Sequence, residues 1–201
     1  LTFAALGVFI LWFCWFGFNG CSTVSMTGDD TLVAAGSIFV TTNMAAAVAC
    51  VTTMLFTWIR FKKPDVSMTF NAALGGLVAI TAGCDMVSIG GAAIIGICAG
   101  IVLPLAVEFF DKVAKIDDPV GAIAVHGVNG LWGTLAVGLF STGINPVGDS
   151  AQKGLFYGGG FNMRGVQLLG VVCIPAWTLL GMVVLFHILQ HPPRIRHPHT
   201  H

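Results

Sequence analysis

Six stretches of this chain, residues 3–22, 33–58, 68–84, 91–110, 119–141 and 165–189, run apolar for most of their length. A helix needs about 20 mainly apolar residues to cross a hydrocarbon core roughly 30 Å thick, so each stretch reads as a transmembrane span. The third is the weakest, being short and carrying Asn71 and Thr81, yet turn-like sequence on either side isolates it. A membrane β-barrel would show segments of about ten residues that alternate apolar and polar, and these runs do not alternate. The expected fold class is all-α, a polytopic transmembrane helical bundle of about six spans. Composition agrees, with 56% hydrophobic residues, 9% charged residues and a mean hydropathy of +0.88. A soluble domain carries about 25% charged residues, so this chain could not wet its own surface as a globule.

Nine basic and nine acidic residues cancel to a formal net charge of +0, which leaves no basic field for nucleic acid. Seven of the nine basic residues follow even-numbered spans: Arg60, Lys62, Lys63, Lys112, Lys115, Arg194 and Arg196. Lys153 and Arg164 fall in an opposite connection. The positive-inside rule therefore places the even-numbered connections and the C-terminus in the cytoplasm, and the first span runs outward. The chain opens at Leu1 in an apolar stretch, without an initiator Met, a basic n-region or a small-residue cleavage site. That pattern is expected of a fragment rather than of a signal peptide. Residues 1–189 form the membrane domain, and residues 190–201, polar and rich in Pro and His, are expected to be a disordered cytoplasmic tail.

Local signals punctuate the spans. Asp118 before Pro119 reads as an N-cap followed by a first-turn proline, and Asp30 or Thr31 as a cap of the second span. Pro104 and Pro175 fall inside spans, where neighbouring helices can re-satisfy the freed carbonyls. Residues 142–164 read as a long external loop, and the 26 glycines predict closely approaching helices. The six cysteines lie mostly in apolar runs without a C-x-x-C spacing and read as buried free thiols. Four of the six histidines sit in the tail, where a flexible segment is favoured over a metal site. No metal or other cofactor is expected, and with no nucleophile pair or phosphate loop the chain does not read as an enzyme.

Two stretches carry chemistry. His126 lies seven residues beyond Pro119, which at about 1.5 Å per residue places it about 10 Å into the fifth span. Helical spacing puts Ala122, Gly130, Gly133 or Thr134, and Val137 on the same face. A neutral imidazole bonded to a neighbouring helix would satisfy that position structurally. An ionisable group at membrane depth is more often functional, and imidazole both donates and accepts, which suits a small polar solute or a proton. In the first span Trp15, Phe18 and Ser22 fall three and four residues apart, so one face carries an indole, a ring and a hydroxyl. Aromatics at a membrane boundary are commonly only anchors. This face could also attract a small cation through its ring quadrupoles and accept one hydrogen bond from it. Glu108, Asp117 and Asp118 read as capping or solvated residues, and Asp85 as a loop residue.

The stretches Asp117-Asp-Pro-Val-Gly-Ala-Ile-Ala-Val-His-Gly-Val-Asn-Gly-Leu-Trp-Gly-Thr, Trp12-Phe-Cys-Trp-Phe-Gly-Phe-Asn-Gly-Cys-Ser and Gly76-Leu-Val-Ala-Ile-Thr-Ala-Gly-Cys occur together here. With Gly154-Leu-Phe-Tyr-Gly-Gly-Gly, they resemble the ammonium transporter family, which includes the Rhesus-type ammonia channels, over roughly residues 3–187. The resemblance implies a homotrimer in which each subunit has a pore between two inverted repeats. This chain is similar to the last six of the family's eleven helices. It implies that His126 is one of two paired pore histidines, Phe18 one of two phenylalanines closing the outer mouth, and Ser22 the recruitment-site hydroxyl. Trp15 resembles a pore-wall tryptophan, and Thr81 is placed near the same vestibule. Ammonium or ammonia is the implied substrate, the cell membrane the implied location and a cytoplasmic regulator a possible partner, although the tail departs from the family's usual C-terminus. Cys21 stands where Gly or Ala is usual. The rival expectation is a non-conducting truncated paralogue or an ammonium-sensing membrane module.

Overall fold

A computed structural model describes residues 1–144 and 152–189. Its helices are α1 (Thr2–Gly20), α2 (Asp29–Phe61), α3 (Val66–Thr81), α4 (Ile89–Glu108), α5 (Asn129–Phe140) and α6 (Asn162–Leu189). Single π-helical turns extend two of them: Phe109–Ala114 follows α4, and Ile123–Val128 leads into α5. Counting these turns, five helical segments are long and apolar enough to cross a membrane, while α3, at 16 residues, is shorter. The expected all-α bundle is what forms.

The centre of the bundle is α2 with α3 and α4, and small residues decide that arrangement. Buried positions on α2 recur as Ala34, Ile38, Thr41, Ala45, Ala49, Thr53 and Thr57, the three- and four-residue steps of one helical face. Two helices close on that face at the same place. A Cβ on Gly96 of α4 would stand 2.5 Å from the Ala45 carbonyl oxygen, and one on Gly76 of α3 2.6 Å from the same atom. No side chain larger than hydrogen fits at either position. In lipid, where no apolar driving force separates helix from solvent, such close backbone contact is what holds helices together. Polar side chains on the same seam are used inward. Thr41 donates from Oγ1 to the Cys84 carbonyl at 2.7 Å, Asn19 from Nδ2 to Thr42 Oγ1 at 3.0 Å, and Trp132 from Nε1 to the Ile95 carbonyl at 3.1 Å.

The two ends of the bundle differ. At one, Arg60 pairs with Glu108 at 2.7 Å and Lys112 approaches the same carboxylate at 3.6 Å. At the other, Thr142 N–H donates to the Met86 carbonyl at 2.8 Å, and the Ser88 and Tyr157 hydroxyls lie 3.1 Å apart. The sequence-based grouping of Arg60, Lys62, Lys63 and Lys112 away from Lys153 and Arg164 matches these ends.

Several local expectations change. Asp118 does cap a helix, its carboxylate accepting from Ala122 N at 2.7 Å and Ile123 N at 2.9 Å, but Pro119 lies in the preceding turn rather than in the first helical turn. Gly121, at φ +70°, reverses the chain there, so the helix starts at residue 122 and His126 is only four residues in. Neither Asp30 nor Thr31 caps α2: Gly28 is the N-cap, and both Asp29 and Asp30 lie in the first turn. Arg164 belongs to α6, with its guanidinium 4.2 Å from the Phe161 ring centroid, so the connection expected over residues 142–164 ends earlier than residue 164. All six cysteines are free, but only Cys84 is buried; Cys14, Cys21 and Cys173 are exposed on the outside of the bundle. In a membrane chain the lipid-facing side is as apolar as the interior, so an apolar run says nothing about which thiols are covered. Residues 145–151 and the tail, residues 190–201, lie outside the described residues.

Candidate functional site

Four of the five candidate residues converge at the C-terminal ends of α1 and α3. Trp15 donates from Nε1 to Thr81 Oγ1 at 2.8 Å, and Thr81 passes its own proton to the Leu77 carbonyl at 2.7 Å. Thr81 is thus occupied twice over. Its role in this arrangement is to fix the indole, which lies 5.5 Å, centroid to centroid, from the Phe18 ring at a 50° tilt. Phe18 is 64% exposed, so its ring is available to something outside the described residues. Ser22, in the 3₁₀ turn Cys21–Thr23 that follows α1, donates its hydroxyl proton to the Phe18 carbonyl at 2.9 Å. With that proton committed, the Ser22 oxygen faces outward as an acceptor only. Two aromatic faces and one acceptor oxygen favour a small cation bearing N–H groups.

His126 is elsewhere. It lies in an open groove of about 410 Å³ between α5 and α6, lined also by Gly130, Thr134, Gly170, Ile174 and Thr178. These lining residues fall at four-residue steps, positions 126, 130 and 134 on one side and 170, 174 and 178 on the other, with glycines beside the imidazole. His126 is exposed there, and among the described residues neither ring nitrogen has a hydrogen-bond partner. The facing α6 residues lie 8 to 16 positions beyond its first residue, Asn162, which puts the imidazole near mid-helix, away from both ends.

The π-helical turn Ile123–Val128 explains why the expected face is only partly kept. A π turn inserts one residue and rotates what precedes it by about 100°. Gly130 and Thr134 remain with His126, whereas Ala122 does not line the groove, and Gly133 packs against the Ala79 backbone of α3. Asn129 closes the turn, donating from Nδ2 to the Ala124 carbonyl at 3.1 Å, five residues back; it is fully buried. The sequence reading passed over Asn129 and Asn19. A buried amide inside an apolar run was the signal available for both.

Cys84, in the turn beyond α3, is a buried free thiol beside Asp85. A group of three or more metal-binding side chains is absent among the described residues.

Comparison with known proteins bears on the whole chain. Residues 1–200 match the model of the Ammonium Transporter Family. The chain belongs to that family. Ammonium transporter Amt2 of Archaeoglobus fulgidus is 42% identical over 200 residues, covering 98% of this chain and 41% of the relative. Ammonium transporter 1 member 1 of Solanum lycopersicum is 35% identical over 94% of this chain and 41% of its own length. Among solved structures, a Sensor Amt Protein superposes with a TM-score of 0.83 at 39% identity, covering 96% of this chain and 45% of that one. The crystal structure of Saccharomyces cerevisiae Mep2 gives 0.85 at 29% identity, over 94% and 41%. The chain therefore spans about two fifths of the length of the relatives it matches. Within the family these residues form a multi-pass membrane protein whose named relatives are transporters rather than enzymes.

Proposed function

We propose that this chain supplies one wall of a pore that conducts ammonium nitrogen across a membrane. The observation that carries the reading is His126, an intramembrane imidazole without a protein partner among the described residues, set in an open groove lined by glycines. A structural histidine would be bonded to a neighbouring helix. At the outer end, the Trp15 and Phe18 rings and the acceptor oxygen of Ser22 suit recruitment of the cation. A bare ammonium ion at the bilayer centre is strongly disfavoured. The cation therefore gives its proton to water at the entrance or, by relay, to the His126 imidazole, and ammonia passes along the groove with an imidazole nitrogen accepting or donating a hydrogen bond. His126 relays the proton or holds the neutral molecule in line.

The other wall comes from residues beyond these 201, related by an inverted repeat, and the working unit is a homotrimer in a cell membrane with the Lys62 end in the cytoplasm. The bare apolar surfaces of α1 and α6 support that division, since α6 packs chiefly on α5 and is otherwise exposed. The test uses the intact protein in proteoliposomes. His126→Ala should lower ammonium uptake or change whether net charge is carried, with oligomer assembly unchanged. Loss of assembly with normal uptake per folded molecule would make His126 structural.

A second reading has one specific observation behind it, the likeness to a Sensor Amt Protein at 39% identity. A sensing module would bind ammonium at the Ser22 end without flux through the His126 groove. Saturable binding without uptake would favour it.

A further inference from the structure

Beside the aromatic pair lies a separate pocket of about 390 Å³, lined among others by Asn19, Ser22, Thr23, Thr81, Cys84 and Asp85. Its hydrogen-bonding character is one-sided. Ser22 gives its proton to the Phe18 carbonyl, Thr23 to the Gly20 and Ser25 carbonyls at 2.8 Å each, and Thr81 to Leu77. Asn19 directs its amide nitrogen to Thr42. The hydroxyl protons are all used within the protein, and what they leave to the pocket is oxygen lone pairs. Asp85 adds the charge. It is half-buried, and among the described residues no basic side chain lies within ion-pair distance of it. No hydrogen-bond donor to its carboxylate is present among those residues either.

We propose that this pocket is a cation-holding site and that Asp85 is the residue that sets its affinity, taking a monovalent cation with N–H donors, such as ammonium or methylammonium, before it reaches Trp15 and Phe18. The inference rests on the ammonium reading above and adds to it a charged group and a second chamber that the aromatic face alone does not supply. An anion is excluded by the unpaired carboxylate, which together with the oxygen lone pairs around it favours a donor-bearing cation over a neutral acceptor. A divalent cation would need several charged or carbonyl ligands, and the lining offers one carboxylate. Thr81 joins the two chambers, since its hydroxyl borders the pocket while it holds the indole of the aromatic pair.

The experiment compares the intact wild-type protein with Asp85→Asn and Asp85→Glu in proteoliposomes, and measures methylammonium binding to each in detergent through tryptophan fluorescence. Asp85→Asn should raise the Kd and the KM about threefold to tenfold, the range expected for removing one partly solvated charge near the ligand. The kcat should stay within about twofold, Asp85→Glu should restore the wild-type values, and added salt should shrink the difference. Oligomer size and thermal stability serve as controls for folding. Wild-type uptake with an unchanged Kd and KM in folded Asp85→Asn would overturn the assignment while leaving the transport reading intact. Asp85-dependent binding without uptake by the wild type would uphold the pocket and remove transport.

Discussion

Pro104 has no amide hydrogen, so the Gly100 carbonyl one turn earlier in α4 lacks its helical donor, and Thr53 of α2 donates to it from Oγ1 instead. Thr53→Val keeps the shape and removes that donor. Thr53 is fully buried and Gly100 is buried against α2, so water has no route to replace the bond. A stranded buried acceptor costs about 1–3 kcal/mol. Hydrogen bonds between membrane helices measured by double-mutant cycles average about 0.6 kcal/mol and reach about 1.7. This one joins two closely packed helices and has no competing donor, so we expect a loss of about 1–2 kcal/mol. In a Pro104→Ala background residue 104 regains its N–H, the helical bond to Gly100 re-forms, and the same Thr53→Val change should cost only a few tenths of a kcal/mol. The coupling read from the four proteins is then about 1 kcal/mol. Reversible unfolding in mixed micelles of rising SDS fraction, followed by helicity, provides the assay. An equal cost of Thr53→Val in both backgrounds would refute the claim that this threonine serves the proline's orphaned carbonyl.

Three further outcomes are expected. Gly96→Val should cost about 1–3 kcal/mol or block assembly, because its side chain meets the Ala45 backbone, whereas Gly181→Ala, with nothing within 4 Å, should leave thermal stability unchanged. A maleimide at neutral pH should modify exposed Cys21 and spare Cys84, whose burial keeps the reagent from it; labelling of Cys84 before unfolding would contradict this. In a cysteine-free background, a cysteine replacing Lys62 should resist an impermeant reagent applied outside intact cells while one replacing Lys153 reacts, and the reverse pattern would invert the topology.

The helices were legible because the bilayer imposes a length and an apolar composition that survive any packing detail. What fell between them was set by single backbone events. Gly121 at positive φ moved the start of the His126 helix, and the π turn after it re-phased the face that helical periodicity had assigned. Trp15, Phe18 and Ser22 stayed together because one uninterrupted helix and its final turn carry them, so their spacing alone located them. Thr81 joined them through a hydrogen bond from a residue 66 positions away, which no local pattern encodes. Asp85 read as an ordinary loop carboxylate because the sequence did not reveal that the surrounding hydroxyls had turned their protons elsewhere.

The shortness of α3 has a consequence for how the membrane meets this protein. At 16 residues it is about 24 Å long, less than the hydrocarbon thickness, while its neighbour α2, at 33 residues, runs to about 50 Å. Hydrophobic mismatch of that size would ordinarily thin the bilayer or tilt the helix. Much of α3 is covered by α2, α4 and α5, so lipid meets its longer neighbours instead. Because α3 stops early, Thr81 and the turn after it meet α2 at Ile38 and Thr41, nine and twelve residues below the first residue of α2, or roughly 13 to 18 Å down its length. The end of α3 and the turn carrying Asp85 are thereby set back from the first residue of α2, beside a low-dielectric helix wall that strengthens the field of a nearby carboxylate. In the proposed pore a cation held beside Asp85 would already lie below the end of α2, and a helix too short to span would shorten the distance that remains.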